Sequence, residues 1–210
     1  GQTIFHDPAG ARSSLQLGDP NLIAARTGIT TVADFRRRDI ASGGQGAPLV
    51  PAFHHACFAD AHEARCVINI GGIANITVLP DDNPQHVTGF DTGPGNGLMD
   101  EWAMHRLGRA YDAQGAWAQS GRVHDDLLQA LLADEYFTRP PPKSTGRDKF
   151  NLDWAHARFP QLDTLDAADV QSTFCTLTAA SITSALRTHA NGTRRVLFCG
   201  GGVHNQLLLS

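Results

Sequence analysis

Arg65-Cys66-Val67-Ile68-Asn69-Ile70-Gly71-Gly72-Ile73-Ala74-Asn75-Ile76-Thr77-Val78-Leu79 is the stretch on which the fold turns. Two apolar, β-branched runs, Cys66–Ile70 and Ile76–Leu79, flank a tight Gly-Gly pair, the pattern of a β-hairpin. Neither run alternates cleanly with polar residues, so both belong in a sheet covered on its two faces. A third strand, Val87-Thr88-Gly89-Phe90, runs into Asp91-Thr92-Gly93-Pro94-Gly95-Asn96-Gly97. A helix begins behind it, with Leu98, Met99, Trp102 and Leu107 toward one side.

Further out, helices are expected over 123–133, with Leu127, Leu128, Leu131 and Leu132, and over 169–189. The second has Asp169 as N-cap and Val170, Phe174, Leu177 and Ile182 near one stripe. Pro140-Pro141-Pro142-Lys143-Ser144-Thr145-Gly146-Arg147 must be irregular. A last strand, Arg195–Cys199, empties into Gly200-Gly201-Gly202, and an apolar helical pattern starts at Val203. On the N-terminal side, Asp19 caps a helix that opens on Pro20, holds Leu22 and Ile23 inside and stops at Gly28. A strand over 30–35 and a glycine-rich loop over 41–48 follow. That loop either touches a ligand or merely connects two elements, and composition leaves both readings open. The order of elements predicts an α/β protein with a mixed sheet flanked by helices, and a change of domain near residues 56–64.

The chain has 210 residues, 41% hydrophobic and 18% charged, which places it among soluble globular proteins. A formal net charge of -4 gives no electrostatic case for nucleic acid or a membrane surface. Apolar runs are strand-sized, well short of the roughly 20 residues of a membrane span. No signal peptide is visible, and four cysteines without C-x-x-C pairing favour a reducing cytoplasm. The ten histidines include no H-E-x-x-H and no Cys/His cluster, so a protein-bound zinc site is not expected. The opening without Met and the close inside a helical pattern read as an excerpt of a longer protein.

Three glycine turns, Gly71-Gly72, Gly93-Pro94-Gly95 and Gly200-Gly201-Gly202, each follow an apolar strand. Ligands of open α/β sheets bind at strand ends, where glycine lets backbone N–H groups approach phosphate oxygens. Neither G-x-x-x-x-G-K-[ST] nor a strand-linked G-x-G-x-x-G is present, which argues against a P-loop or a dinucleotide enzyme. Asp91, at a strand end before a glycine loop, is either a base that orients a nucleophile or a cap holding backbone N–H groups. Asp91-Thr92-Gly93 also spells the aspartic-protease triplet. A single copy, Pro94 after it and a helix-rich context speak against that chemistry. Arg36, Arg37, Arg38 and Asp39 suit a carboxylate, phosphate or sugar hydroxyl, although a solvated charged turn fits them too. Lys143 and Arg147 stand equally open, and His54-His55 is assigned nothing.

Together, Leu15–Asp19, Ala33–Asp39, Gly43–Pro51, Asn69–Asn75, Gly89–Asn96, Pro142–Arg147 and Cys199–Asn205 resemble the anhydro-N-acetylmuramic acid kinase family from end to end. The resemblance implies the two-lobed sugar kinase, hsp70 and actin architecture of ribonuclease H-like topology. Residues 1–60 would be the last part of the N-terminal lobe and 61–210 most of the C-terminal lobe. It implies ATP with Mg²⁺, cytoplasmic peptidoglycan recycling, and a reaction in which water opens 1,6-anhydro-N-acetylmuramic acid while O6 takes the γ-phosphoryl group. Asp91 would activate the water. Gly71 and Gly72 would lie by the phosphates and Gly200, Gly201 and Gly202 near the adenosine, with Asn75, Gly93, Gly95, Asn96 and Asn205 also binding the nucleotide and Arg36, Arg37, Arg38 and Asp39 facing the sugar. A homodimer is reasonable on the same grounds. The family's opening segment, of the type Met-Ser-Gly-Thr-Ser-x-Asp-Gly, and its C-terminal portion are absent, so the chain by itself is expected to have little kinase activity and could serve as a non-catalytic binding remnant.

Overall fold

A computed structural model describes residues 3–210, which divide into two compact units on either side of the Leu49/Val50 boundary. The first unit opens with an antiparallel hairpin of β1 (Thr3–Asp7) and β2 (Ser13–Gln16). Helix α1 (Pro20–Thr27) follows as the sequence predicts. The Asp19 side chain accepts from Asn21 and Leu22 N–H, Pro20 opens the helix, and Gly28 closes it at φ 67°. Leu22 and Ile23, expected inside, are instead half exposed.

The strand expected over 30–35 does not form: residues 28–34 are irregular and helix α2 (Phe35–Ala41) begins at its last position. Asp34, at φ 65°, turns the chain into that helix. Arg36, Arg37, Arg38 and Asp39 therefore sit on a helix rather than after a strand. β-Branched composition misleads here because strand preference expresses packing on neighbours, and no described strand pairs with this stretch.

The second unit opens with α3 (Pro51–Phe58) and is built on a four-stranded sheet of β3 (Arg65–Ile70), β4 (Ile73–Leu79), β5 (Thr88–Pro94) and, late in the chain, β6 (Arg195–Cys199). The spatial order is β5-β4-β3-β6, with the first three antiparallel and β6 parallel to β3. This is the mixed sheet predicted from the hairpin. β5 runs further than expected: Asp91 lies inside it, not at its end, and the strand continues through Gly93 to Pro94.

The helices follow as α4 (Asn96–Leu107), α5 (Ala116–Ser120), α6 (Asp125–Leu132), α7 (Glu135–Thr138), α8 (Leu152–Arg158), α9 (Ala167–His189) and the short α10 (Gln206–Leu209). Leu98, Met99 and Trp102 of α4 are buried as expected, whereas Leu107 is exposed. Helix α9 starts two residues before Asp169, because Asp166 accepts from Ala168 and Asp169 N–H and so takes the cap.

Two apolar clusters hold this unit. Cys66, Ile68, Ile70, Ala74, Ile76, Val78 and Phe90 point from one face of the sheet onto Ile182 and Ala185 of α9. Trp102, Leu127, Leu131, Leu162, Phe174 and Leu177 form the second cluster among the helices. The alternation of a strand sends the intervening residues to the other face. By register, Cys199, Asn69, Asn75 and Asp91 form one polar row across all four strands there. Lower on that face α3 makes the cover, where His54 Nδ1 lies 2.9 Å from Thr77 Oγ1.

Candidate active site

The polar row is where Asp91 is held. Asn75 pairs with Asp91 but Ala74 pairs with Gly93, so Thr92 is an extra residue and β5 bulges beside the aspartate. Bulges re-aim a neighbouring side chain and are common beside active sites. Asp91 is 4% exposed. Its backbone N–H donates to the Lys143 carbonyl at 3.1 Å, and its own carbonyl accepts from the Tyr136 hydroxyl at 2.8 Å. Oδ2 accepts from the Thr145 backbone N–H at 2.9 Å. The segment 143–145, which the three prolines keep out of regular structure, thus grips the aspartate from both main chain and side chain. Asn75 Oδ1 and Thr145 Oγ1 are buried beside it with no hydrogen-bond partner.

Below this grip lies a second network. Asp134, 2% exposed, receives Lys149 Nζ, Trp154 Nε1, Arg158 Nη2 and the Tyr136 N–H, each at 2.8–2.9 Å. Burial alone would raise its pKa, yet these donors, Lys149 foremost, hold it at about 2. Tyr136 is thereby fixed at its N–H by Asp134 while its hydroxyl supports Asp91. Burial first, then the Asp91 charge, pushes the Tyr136 phenol far above its usual range, so it remains a donor.

The three glycine turns meet at one end of the sheet. Gly95 and Gly97 N–H both donate to the Gly72 carbonyl at 3.0 Å, and Asn96 N–H donates to the Gly71 carbonyl at 2.7 Å. A side chain on Gly95 would meet the Gly71 carbonyl, and one on Gly97 the Gly72 carbonyl. These glycines allow backbone to lie on backbone, and the first N–H groups of α4 are spent on the hairpin turn. Gly93 faces Phe137 and Ser181, where its missing side chain makes room for packing. Gly200, at φ 86°, and Gly202 lie against Ile70, and Gly201 is the open member of that turn. Asn96 Nδ2 donates to the Ile70 carbonyl at 3.2 Å and joins the turns. Asn205 Oδ1 caps α10 by accepting from Leu208 N–H.

Beside this junction is a cavity of about 320 Å³ lined by Asn96, Asp100, Tyr111, Gly201, His204 and Asn205, among others. Burial raises the Asp100 pKa; Arg147 opposes that shift and Asp112 adds to it. Arg147 itself crosses Gly72, its Cδ 3.4 Å from where a Gly72 side chain would begin. Tyr136, Thr145, Asp100 and Tyr111 were not legible as site residues. Thr145 acts through its backbone N–H, which any residue but proline carries; Asp100 follows the glycine turn by three residues but reads as one polar position of an amphipathic helix, and Tyr111 and Tyr136 lie further from the glycine motifs in sequence.

In the first unit, Arg36 Nη1 donates to the Gly46 carbonyl at 2.9 Å, and Asp39 Oδ2 accepts from the Gly46 N–H at 2.7 Å. Both brace the glycine-rich loop. Arg37 is exposed and lies 3.6 Å from Asp34. Arg37 and Arg38 line an open cavity of about 500 Å³ with Arg12 and Ser13.

A family model described as anhydro-N-acetylmuramic acid kinase matches residues 1–210. The chain belongs to that family. Curated anhydro-N-acetylmuramic acid kinases are 57% identical in Xanthomonas axonopodis pv. citri (strain 306) and 52% identical in Coxiella burnetii (strain RSA 493 / Nine Mile phase I), each over 211 aligned residues covering 100% of this chain. The chain spans about 56% of the length of these relatives. Anhydro-N-acetylmuramic acid kinases are carbohydrate kinases of the sugar kinase and actin fold, and the mixed sheet described above is part of it. The membership displaces the aspartic-protease reading of Asp91-Thr92-Gly93, whose three residues lie in the body of β5. Among the described residues no helix is long and apolar enough to cross a membrane, and no group of three or more His, Cys, Asp or Glu could hold a metal ion.

Proposed function

We propose that these residues belong to an ATP-dependent kinase that opens 1,6-anhydro-N-acetylmuramic acid with water and phosphorylates O6, giving N-acetylmuramate 6-phosphate in cytoplasmic peptidoglycan recycling. The observation that carries this reading is Asp91, buried in the polar row and oriented by Thr145 N–H, the Lys143 carbonyl and the Tyr136 hydroxyl. Asp91 takes a proton from water, and the resulting hydroxide forms a bond to the anomeric carbon. The C1–O6 bond breaks, O6 attacks the γ-phosphorus and ADP leaves. A base fixed at both its main chain and its carboxylate has little freedom to lose in the transition state, and position is most of what an enzyme contributes to phosphoryl transfer.

ATP fits the junction of the glycine turns, with the adenosine toward the cavity at Gly201, Asn96 and Tyr111. The hairpin carbonyls already take the N–H groups of residues 95–97, so Gly71, Gly72, Gly93 and Gly95 act by letting chains approach, with Arg147 above Gly72 as the neighbouring cation. Mg²⁺ would bind ATP phosphates together with one or two carboxylates, for which Asp91 and Asp100 are the candidates in this unit, and would neutralise charge on the transferred group. Arg37 and Arg38 are the side chains left to reach the sugar, while Arg36 and Asp39 hold the loop beside it. The lobe division at 60/61 and a homodimer belong to the same reading.

The test is ATP-dependent phosphorylation of the anhydro sugar by the full-length protein beside its Asp91→Asn variant. Loss of a general base is expected to lower kcat by about 10²–10⁴-fold with the fold retained. Full activity in the variant would remove Asp91 from the mechanism.

A further inference from the structure

On the sheet face opposite Asp91, β5, α7, the 138–143 segment and the second half of α9 enclose a cavity of about 690 Å³. Its lining includes Arg139, Lys143 and His189, together with the hydroxyls of Ser181, Ser184 and Thr188, and no Asp or Glu. Lys143 is 5% exposed. Its ammonium donates to the Tyr136 carbonyl at 2.9 Å and lies 4.7 Å from the centroid of the Tyr136 ring. It also lies 5.9 Å from the Phe90 ring centroid, and an ammonium with three donors is left by one carbonyl and two ring faces short of full acceptors. His189 lies edge-on to Phe90, with centroids 5.0 Å apart, at the far end of the same wall.

The exposed Arg139 and the buried Lys143 thus bring two positive charges to one cavity whose lining holds no carboxylate, with the His189 imidazole beside them. Burial, then the charge of Arg139, keeps the Lys143 ammonium below the usual lysine value; burial, then Lys143, lowers His189. Elsewhere the unit pairs its buried ions, as the Lys149 and Arg158 contacts to Asp134 show. Buried charge without a partner is costly, and an anion is the ligand that would offset it here.

We propose that this cavity binds a phosphate-type oxyanion, free or as a phosphomonoester, between Arg139, Lys143 and His189 with the Ser184 and Thr188 hydroxyls as further donors; the Ser181 hydroxyl already donates to the Thr178 carbonyl. Arginine supplies a forked contact, lysine a point charge and the hydroxyls the remaining donors, which suits a tetrahedral dianion better than a flat carboxylate. The site is distinct from the glycine junction. It touches the same short segment, because the Lys143 carbonyl receives the Asp91 N–H. Occupancy there bears on the strut that orients Asp91.

The test is calorimetric titration of the chain with inorganic phosphate, glucose 6-phosphate, glucose and acetate, each variant first checked by its melting curve. Phosphate is expected to bind and glucose not to bind, with acetate weaker. Tighter binding of glucose 6-phosphate would mark a phosphomonoester site, and equal binding a site for free phosphate. Arg139→Gln and His189→Gln should each weaken phosphate by about tenfold, the size of one charged hydrogen bond. Ser184→Glu, at an exposed position on the mouth, should do the same by repulsion without disturbing the core. Arg147→Gln should leave phosphate affinity unchanged. Silence at millimolar phosphate, or unchanged affinity in the folded Arg139, His189 and Ser184 variants, would overturn the proposal. So would loss of binding in Arg147→Gln alone, which would move the anion to the glycine junction.

Discussion

Asp91 could be singled out from sequence, but its working environment could not. The residue type, the following glycines and the preceding strand marked it; its three fixing contacts come from residues 136, 143 and 145, about fifty positions away. Two of those contacts are made by main-chain atoms, which leave no trace in residue identity. The same distance hides Asp134, whose donors arrive from 136, 149, 154 and 158. Its carboxyl is held at about 2 against an ordinary 3.8, so the folded state favours the ionised form. The stabilisation is complete above the unfolded value near 4 and is lost as pH falls through 4 toward 2. A shift of this size is worth roughly 2 kcal/mol. Thermal melting followed from pH 6 to pH 2 should show a steep loss over that lower window. In Asp134→Asn the starting stability should be lower and the slope there shallower. An unchanged slope would mean that other carboxylates carry the acid sensitivity.

Elements with strong local chemistry were read well, and those decided by distant neighbours were not. Asp19-Pro20 and Gly28 bound α1 to the residue because capping is a short-range matter. The hairpin β3-β4 was legible because two apolar runs around Gly71-Gly72 allow few alternatives. Residues 30–35 read as a strand but have no described strand to pair with, and Asp166 displaced Asp169 as the cap of α9 since both satisfy the same rule. Gly93 and Gly95 read as nucleotide contacts from the sequence, whereas in the fold Gly95, with Gly97, brings hairpin and helix into contact. Gly95→Ala makes the distinction measurable, because the added methyl meets the Gly71 carbonyl and the main chain of Ile73 and Ala74. Overpacking of this kind should cost about 1–3 kcal/mol and part the turn from α4. Denaturant unfolding of Gly95→Ala should show a lowered midpoint with weaker ATP-analogue binding; wild-type stability with lost binding would instead make Gly95 a direct nucleotide contact.

At the scale of the whole molecule, the two units differ in what they bury. Residues 50–210 hold both apolar clusters, with Trp102, Phe90, Phe174 and the sheet interior almost wholly covered. In residues 3–49 Ile40 is the one large apolar side chain in the buried class, while Ile4, Phe5, Leu15, Leu17, Leu22, Ile23, Ile29, Val32 and Phe35 are exposed. A unit of about fifty residues has little buried surface with which to offset the entropy of ordering it, and here most large apolar side chains are exposed. Periodicity in the sequence could mark α1 as helical but could not say that nothing described covers its apolar side. The expected consequence is unequal local stability. In native-state hydrogen exchange, amides of β1, β2, α1 and α2 should exchange at rates near those of an unfolded chain. Those of β3, β4 and the middle of α9 should exchange only through global unfolding of the second unit. Brief proteolysis should accordingly cut within 3–49 and leave a resistant core beginning near Val50. Protection in α1 and α2 equal to that of β3 would show instead that the first unit is stabilised by interactions that its own buried surface does not supply.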